Sequence, residues 1–135
     1  MQASELLRRY AAGERDFRFA DLRNVSLRWA WLLEVNLDNA NLEGVTFAGA
    51  SMMAASLRWA NLTRADLTRT DLRYADLSNA TLRDAFLCDT DLGGAKTDYT
   101  IDLTRAYVSY AGLEAAYLAM KALKEAQKRR LRGVA

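Results

Sequence analysis

Large apolar side chains recur at every fifth residue through the middle of the chain. In the stretch ANLTRADLTRTDLRYADLSNATL, residues 60–82, every fifth residue is a leucine. An α-helix repeats every 3.6 residues, so steps of five would turn by about 140° each time and leave no apolar face. In a strand, an odd period would place successive leucines on opposite faces. The period therefore predicts a backbone that turns once per repeat.

The repeat runs from Phe17 to Leu92 and breaks at Thr97. Its large residues, here called centres, are Phe17, Leu22, Leu27, Leu32, Leu37, Leu42, Phe47, Met52, Leu57, Leu62, Leu67, Leu72, Leu77, Leu82, Leu87 and Leu92. Two residues before every centre except the first, the side chain is small or β-branched. Side chains two apart on an extended chain point the same way, so each unit turns one small and one large residue inward. Repeated turns of one hand then coil the chain into a filled solenoid, with neighbouring coils at strand spacing.

Units such as A-N-L-T-R, A-D-L-T-R and A-D-L-S-N resemble the pentapeptide repeat family, and the resemblance covers residues 15–97. It implies an all-β solenoid, namely a right-handed quadrilateral β-helix of about four coils with four repeats to each coil. The opening segment SELLRRYAAGERDF is similar to the leader of cyanobacterial members, which suggests a cyanobacterial source.

The positions of the charged residues give evidence on the number of sides in each coil. In a four-sided coil, residues twenty apart lie one above another, and opposite charges such as Arg64 and Asp84 fall at that spacing. A three-sided coil would place Arg58 beside Arg73. The charge pattern favours four sides slightly, and the family resemblance supplies most of the support.

We expect three parts: an N-terminal capping helix in residues 1–14, the β-helix in 15–97, and a C-terminal helical cap in 98–135. The first helix is predicted over 4–12, where the apolar residues recur at the spacing of one helix face. Its signals are Ser4 as N-cap, Gly13 as the stop, and Leu6, Leu7 and Tyr10 on one face. A helix is expected at each end, because an open solenoid exposes apolar side chains and unpaired backbone groups.

The C-terminal part has an apolar stripe of its own. The stretch 103–131 lacks proline, is rich in helix-forming residues, and follows Asp102 as a candidate N-cap. Four apolar residues in it follow helical spacing: Tyr110, Leu113, Tyr117 and Met120. We favour a cap over the last coil as the role of this stripe. A homodimer helix is the alternative, and both hold if the stripe is wider than one coil end.

The composition argues against catalysis. The chain has no histidine, the commonest general base and metal ligand, and its single cysteine, Cys88, excludes an intramolecular disulfide. Acidic residues that precede centres, such as Asp66 and Asp71, are explained by the repeat as turn formers. A filled tube with flat faces also offers no pocket. We therefore expect no enzyme, no catalytic residue, no cofactor and no metal.

Charge and hydropathy bear on location and on partners. The net charge is +2 with 27% charged residues, which is too balanced to indicate nucleic acid by itself. No N-terminal apolar segment resembles a signal peptide, and no run approaches the roughly 20 apolar residues of a membrane span. A cytoplasmic protein without a membrane partner is expected.

Most outward positions of the repeat are polar, so the apolar exceptions indicate function. Trp29, Trp31 and Leu33 fall within five residues, and Met53 stacks on Leu33 in a square coil. Aromatic residues on a flat face predict a contact surface. The alternative is incidental surface, or surface that the C-terminal segment covers. The two interpretations are about equally supported.

Three functions compete. The first is a non-enzymatic interaction or scaffold module with an unidentified protein partner, which is what the resemblance implies for short members. The second, also implied by the resemblance, is a DNA mimic that binds DNA gyrase and protects it from quinolones. The net charge of +2 disfavours it, since those members are strongly acidic. The third is nucleic-acid binding by the basic tail KALKEAQKRRLR, which we expect least because helix-dipole capping explains its charge.

Overall fold

The computed structural model describes residues 1–97 and 100–108, and their centre residues line the inside of a four-sided solenoid. Parallel β-bridges of one residue each join positions twenty apart, and successive bridges along the chain are five residues apart. Four ladders result, and they start at Asp16, Asp21, Ser26 and Trp31. The prediction of one turn per repeat is confirmed.

Each side of the coil ends in a tight turn. In the repeat around Leu27, the amide of Ala30 donates to the Leu27 carbonyl at 3.2 Å, and Trp29 between them has φ 60°. A positive φ at the third of four turn residues is the type II pattern. Non-glycine residues occupy most of these corners, at a cost of about 1–2 kcal/mol each. Hydrogen bonds between coils offset that cost, for example from Trp29 N to the Ala48 carbonyl at 2.9 Å.

The inside of the tube is filled almost entirely by apolar side chains. Centres from Phe17 to Leu87 are almost fully buried, and the small residues two positions earlier are buried from Ala30 onward. Thr70 and Thr90 occupy two of the small inward positions, and their buried hydroxyl groups are hydrogen-bonded. Their hydroxyls donate to the carbonyls of Phe47 and Leu67 at 2.9 and 2.7 Å. The predicted inward pair of each repeat is therefore confirmed.

A helix, α1 (Ala3–Ala11), covers the N-terminal end of the solenoid. Leu6 and Tyr10 join the buried core, and the Tyr10 hydroxyl donates to the Leu33 carbonyl at 2.8 Å. Two details of the prediction are wrong. The N-cap is Gln2 rather than Ser4 and makes no side-chain capping bond, and Leu7 is 39% exposed because it faces away from the first coil.

The solenoid continues beyond residue 97, so the predicted start of a C-terminal helix at 103 is wrong. Bridge partners are twenty apart up to Asp76 and Lys96, and twenty-one apart from Thr81 and Asp102 onward. Strands β1 (Phe86–Leu87) and β2 (Tyr107–Val108) then pair in parallel. One added residue before Asp102 shifts the repeat by one position. Pairing with the coil below gives hydrogen-bond partners to backbone groups of residues 102–108, which the first turn of a helix would leave without partners.

The rest of the predicted C-terminal cap lies outside the described residues, as do Tyr110, Leu113, Tyr117 and Met120. The number of about four coils also stays a prediction for that reason. Among residues 1–97 and 100–108, no helix is long and apolar enough to cross a membrane.

Candidate protein-interaction surface

Four of the predicted contact residues lie together on one side of the solenoid. Trp31 begins this side in the first coil and pairs with Ser51 above it, while Leu33 and Met53 occupy the same position in consecutive coils. Trp29 lies at the adjoining corner. Trp29 and Trp31 are 67% and 65% exposed, and Leu33 and Met53 are partly buried. These four residues form what we call the tryptophan face.

The indole of Trp29 rests on the next coil. A Cβ added to Gly49, which follows Trp29 by twenty residues, would collide with the indole ring. Gly49 therefore provides the space in which Trp29 lies against the backbone of the second coil. The ring lies against Gly49 while most of the residue stays exposed, so a partner would meet an aromatic side chain that is already supported by the next coil.

Helix α1 supports the same side. The Tyr10 hydroxyl bonds to the Leu33 backbone, and the Arg15 guanidinium lies 3.6 Å from the centre of the Tyr10 ring. The helix end and the tryptophan face are thereby tied together. A rigid support of this kind lowers the entropy cost of binding at the surface.

Tyr74, which the sequence pattern did not single out, is 67% exposed at the other corner of the same side. A Cβ added to Gly94 would come within 2.6 Å of the Tyr74 ring, which repeats the arrangement of Trp29 and Gly49. The sequence does contain the signal. An aromatic residue at a corner, followed twenty residues later by glycine, marks a ring that lies on the next coil.

Other exposed aromatic residues lie away from the tryptophan face. Phe19 and Trp59 share a corner column diagonally opposite Trp29, since thirty residues correspond to one and a half coils. Phe86 and Tyr107 stack on the side that meets the tryptophan face at the Trp29 corner, but they lie three and four coils above that residue's own coil, with ring centres 5.3 Å apart. Trp59 is 59% exposed, so it matches Trp29 and Trp31 in residue type and exposure. It therefore serves as an internal control.

Several carboxylates on the outer surface are paired with arginines, either within one side of one coil or between neighbouring coils. Asp21 accepts from Arg23 at 2.7 Å, and the same two-residue spacing joins Asp16 to Arg18 and Asp71 to Arg73. The predicted stack of Arg64 on Asp84 is not the main contact: Arg64 pairs with Glu43, and Asp84 accepts from Arg105 at 2.7 Å. The described residues also contain no cluster of His, Cys, Asp or Glu that would hold a metal ion.

Because these ion pairs need ionised carboxylates, we expect the folded protein to lose stability in acid. The hydrogen bond from the Arg23 side chain lowers the pKa of Asp21 to about 2. The pKa values of several other acids are lowered by side-chain hydrogen bonds: Asp16, Asp71, Asp84 and Asp102. A lowered folded-state pKa contributes stability above the unfolded value near 4, and that contribution is lost as the pH falls toward about 2.

We therefore expect the thermal unfolding midpoint to fall between about pH 4 and pH 2, measured by circular dichroism. Asp21→Asn is the matched variant, because Asn41 and Asn61 occupy the same ladder position. Its midpoint should depend less on pH in this window. A midpoint that is unchanged or rises as the pH falls would contradict the role of the ion pairs.

The repeat pattern, the turn geometry and the ladders agree with a known family. A model of pentapeptide repeats matches residues 20–58, 32–69 and 50–89, with eight copies. The chain belongs to the pentapeptide repeat family. Its solenoid is accordingly a right-handed quadrilateral β-helix. Comparison with curated proteins finds no match.

Solved structures of other pentapeptide repeat proteins are similar to the chain. HetL, a protein involved in heterocyst differentiation regulation in the cyanobacterium Nostoc, is 30% identical over 80% of this chain and 59% of its own, with a TM-score of 0.56. Rfr23 from the cyanobacterium Cyanothece is 26% identical over 71% of this chain and 61% of its own, with a TM-score of 0.41. The chain thus spans about three fifths of the length of both proteins.

QnrB1, a plasmid-mediated fluoroquinolone resistance protein, is more distant. It is 19% identical over 80% of this chain and 65% of its own, with a TM-score of 0.34. A similarity of this size concerns the fold alone. It gives no support to a shared partner.

Proposed function

We propose that this pentapeptide repeat protein is a non-enzymatic interaction module that binds a protein partner through the tryptophan face. The observation that supports this most strongly is the exposure of Trp29 and Trp31, at 67% and 65%, beside Leu33 and Met53 on one rigid side. Within residues 1–97 and 100–108, apolar side chains fill the core, which supports recognition on the outer surface.

The energetics favour a protein partner. Burial of apolar surface stabilises a complex by roughly 25 cal/mol per Å². Tryptophan is enriched among the few interface residues that supply most of the binding energy. Because the indole of Trp29 already lies on Gly49, little conformational freedom is lost when a partner covers it.

We expect Trp31→Asp to weaken partner binding at least about 30-fold, which corresponds to about 2 kcal/mol for a central interface residue. The substitution suits the fold, because Asp71 and Asp91 occupy the same ladder as Trp31. The partner is first captured from the source cell with the wild-type protein and then purified. Its affinity for the wild type and for the variants is measured by calorimetry.

The control for this experiment is Trp59→Asn. It removes a tryptophan of similar exposure from the diagonally opposite corner, and Asn39 and Asn79 occupy the same corner column. The affinity should stay within a factor of about two or three, as for a residue outside the interface. Equal weakening by both variants, or weakening by Trp59→Asn alone, would contradict the proposal.

A second copy of the chain is the other partner that we propose, with contacts in the C-terminal segment at Tyr117 and Met120. The apolar stripe at helical spacing supports this, and so does the position of dimer contacts that the family resemblance implies. Light scattering at micromolar concentration should give a dimer mass. Tyr117→Lys with Met120→Lys should give the monomer, and Leu33→Lys should leave the dimer intact. A monomer from Leu33→Lys alone would place the interface on the tryptophan face.

A further inference from the structure

Glycine occupies three corners in the described part of the solenoid, at positions 44, 49 and 94, with φ of 68°, 72° and 69°. At each of them, a Cβ would collide with a side chain that comes from the corner one coil below. The three pairs are Gly44 with Asn24, Gly49 with Trp29, and Gly94 with Tyr74. A corner glycine in this protein therefore goes together with a side chain that leans on the next coil.

The backbone angle alone does not explain the glycine at position 49. Alanine, asparagine, arginine and aspartate occupy other corners with φ near 60°, such as Ala54 at 61° and Asn39 at 59°. The φ of Gly49 lies within the ordinary scatter of this left-handed region. What distinguishes Gly49 from these corners is the missing Cβ, whose place the Trp29 indole occupies.

An aromatic residue at a corner does not require a glycine one coil above. Asn79 follows Trp59 by twenty residues and forms the corner above it. The Cβ of Asn79 fills the space that glycine leaves empty, so the Trp59 indole cannot lie on its next coil in the orientation of Trp29. The direction of a corner ring thus depends on the residue twenty positions later.

We infer that Gly49 is a positioning residue of the tryptophan face, an inference that rests on the proposed function. Without touching the partner, Gly49 lets the Trp29 indole lie on the second coil in the orientation that the partner meets. A Cβ at position 49 forces the indole off this support and into solvent. A partner would then have to order the ring as it binds, which costs affinity.

The first test measures the affinity of Gly49→Ala for the partner that is captured and purified as for Trp31→Asp. Calorimetry should show binding that is weaker by about 3- to 10-fold, the cost of ordering one large side chain. Trp29→Asn is measured alongside and should weaken binding at least as much, because it removes the ring itself. Asparagine suits this corner, since Asn24 occupies an equivalent one with φ 58°.

Gly44→Ala is the matched control. Gly44 lies one corner before Gly49 in the same coil, does not border the side of the tryptophan face, and would likewise gain a Cβ that collides with a side chain, that of Asn24. Its affinity for the partner should stay within a factor of about two of the wild type. The urea midpoints of Gly44→Ala and Gly49→Ala should be alike, which separates positioning of the ring from a general loss of stability.

The results of this comparison separate the inference from the proposed function. If Trp29→Asn weakens binding and Gly49→Ala does not, the inference is overturned and the proposed function stands. Equal weakening by Gly44→Ala would also overturn the inference, because any strained corner would then have the same effect. Unchanged binding of Trp29→Asn would contradict both the inference and the role of Trp29 in the proposed surface.

The second test needs no partner. Proton NMR of the free protein should show nuclear Overhauser contacts between the Trp29 indole and the α-protons of Gly49, together with an upfield ring-current shift of these protons that disappears in Trp29→Asn. In Gly49→Ala the contacts between the indole and residue 49 should be lost, while those between Tyr74 and Gly94 remain as an internal control. Contacts that are absent from the wild type, or retained in Gly49→Ala, would overturn the positioning role.

Discussion

Leu67→Ala is expected to lower the free energy of unfolding by about 2–5 kcal/mol. Leu67 is fully buried in the middle of the tube, between Phe47 one coil below and Leu87 one coil above. The backbone of each coil is fixed by hydrogen bonds to its neighbours, such as Leu67 N to the Phe86 carbonyl at 2.8 Å. The surroundings therefore cannot collapse into the cavity, which places the cost toward the upper part of this range.

The matched control for Leu67→Ala is Arg69→Ala in the same repeat. Arg69 is exposed at a corner with φ 56°, and Ala54 shows that alanine occupies such a corner. Its stability should stay within about 0.5 kcal/mol of the wild type. Urea denaturation measures both variants. Equal effects would mean that the inward and outward positions of the repeat have been exchanged.

Ala65→Lys should have a still larger effect, with a loss of more than about 4 kcal/mol or a failure to fold. Ala65 is fully buried at a small inward position, in a column with Val45 and Ala85. A lysine there has no room in the packed tube and would bury an unpaired ammonium group. Circular dichroism and the unfolding midpoint of the purified protein measure the outcome.

The control for Ala65→Lys is Ala54→Lys, the same substitution at an exposed corner. Arg64 and Arg69 occupy equivalent corners, so a long basic side chain fits there. Its stability should stay within about 0.5 kcal/mol of the wild type. A stable, folded Ala65→Lys variant would contradict the filled interior of the solenoid.

The sequence predicted the architecture because each repeat of five residues makes the same demand on the backbone. One large and one small inward side chain per turn require a filled solenoid once the turns share one hand, whereas the number of four sides rested mostly on the family resemblance. The end of the repeat was harder to predict. One added residue before Asp102 moves the register out of a strict step of five, so the continuation through Leu103 and Val108 was missed.

The composition of the C-terminal part adds to this ambiguity. Alanine and leucine favour helices, but they also fill the small and large inward positions of the solenoid. Residues 103–108 therefore fit both patterns, and only backbone pairing decides between them. The cap of helix α1 was missed for a related reason, since Ser4 lies inside the helix and packing of Leu6 and Tyr10 sets where it begins.

The tryptophan face was predictable because large apolar residues replace polar ones at outward positions. Trp31 lies in a ladder with Ser51 and Asp71, so a large apolar residue at this position differs clearly from the polar residues that usually occupy it. Tyr74 was not found, because a single tyrosine at a corner is ordinary until its pairing with Gly94 one coil above is recognised. The sequence does not name the partner, since a flat face lacks the shape that identifies a ligand.

Hydroxyl-radical labelling of the complex with the captured partner tests the central claim most directly. The side chains of Trp29, Trp31 and Met53 react readily with radicals when exposed, and so does Trp59 on the opposite corner. If the tryptophan face is the binding surface, Trp29, Trp31 and Met53 lose reactivity in the complex while Trp59 keeps the reactivity of the free protein. Protection of Trp59 with unchanged labelling of the other three would contradict the account.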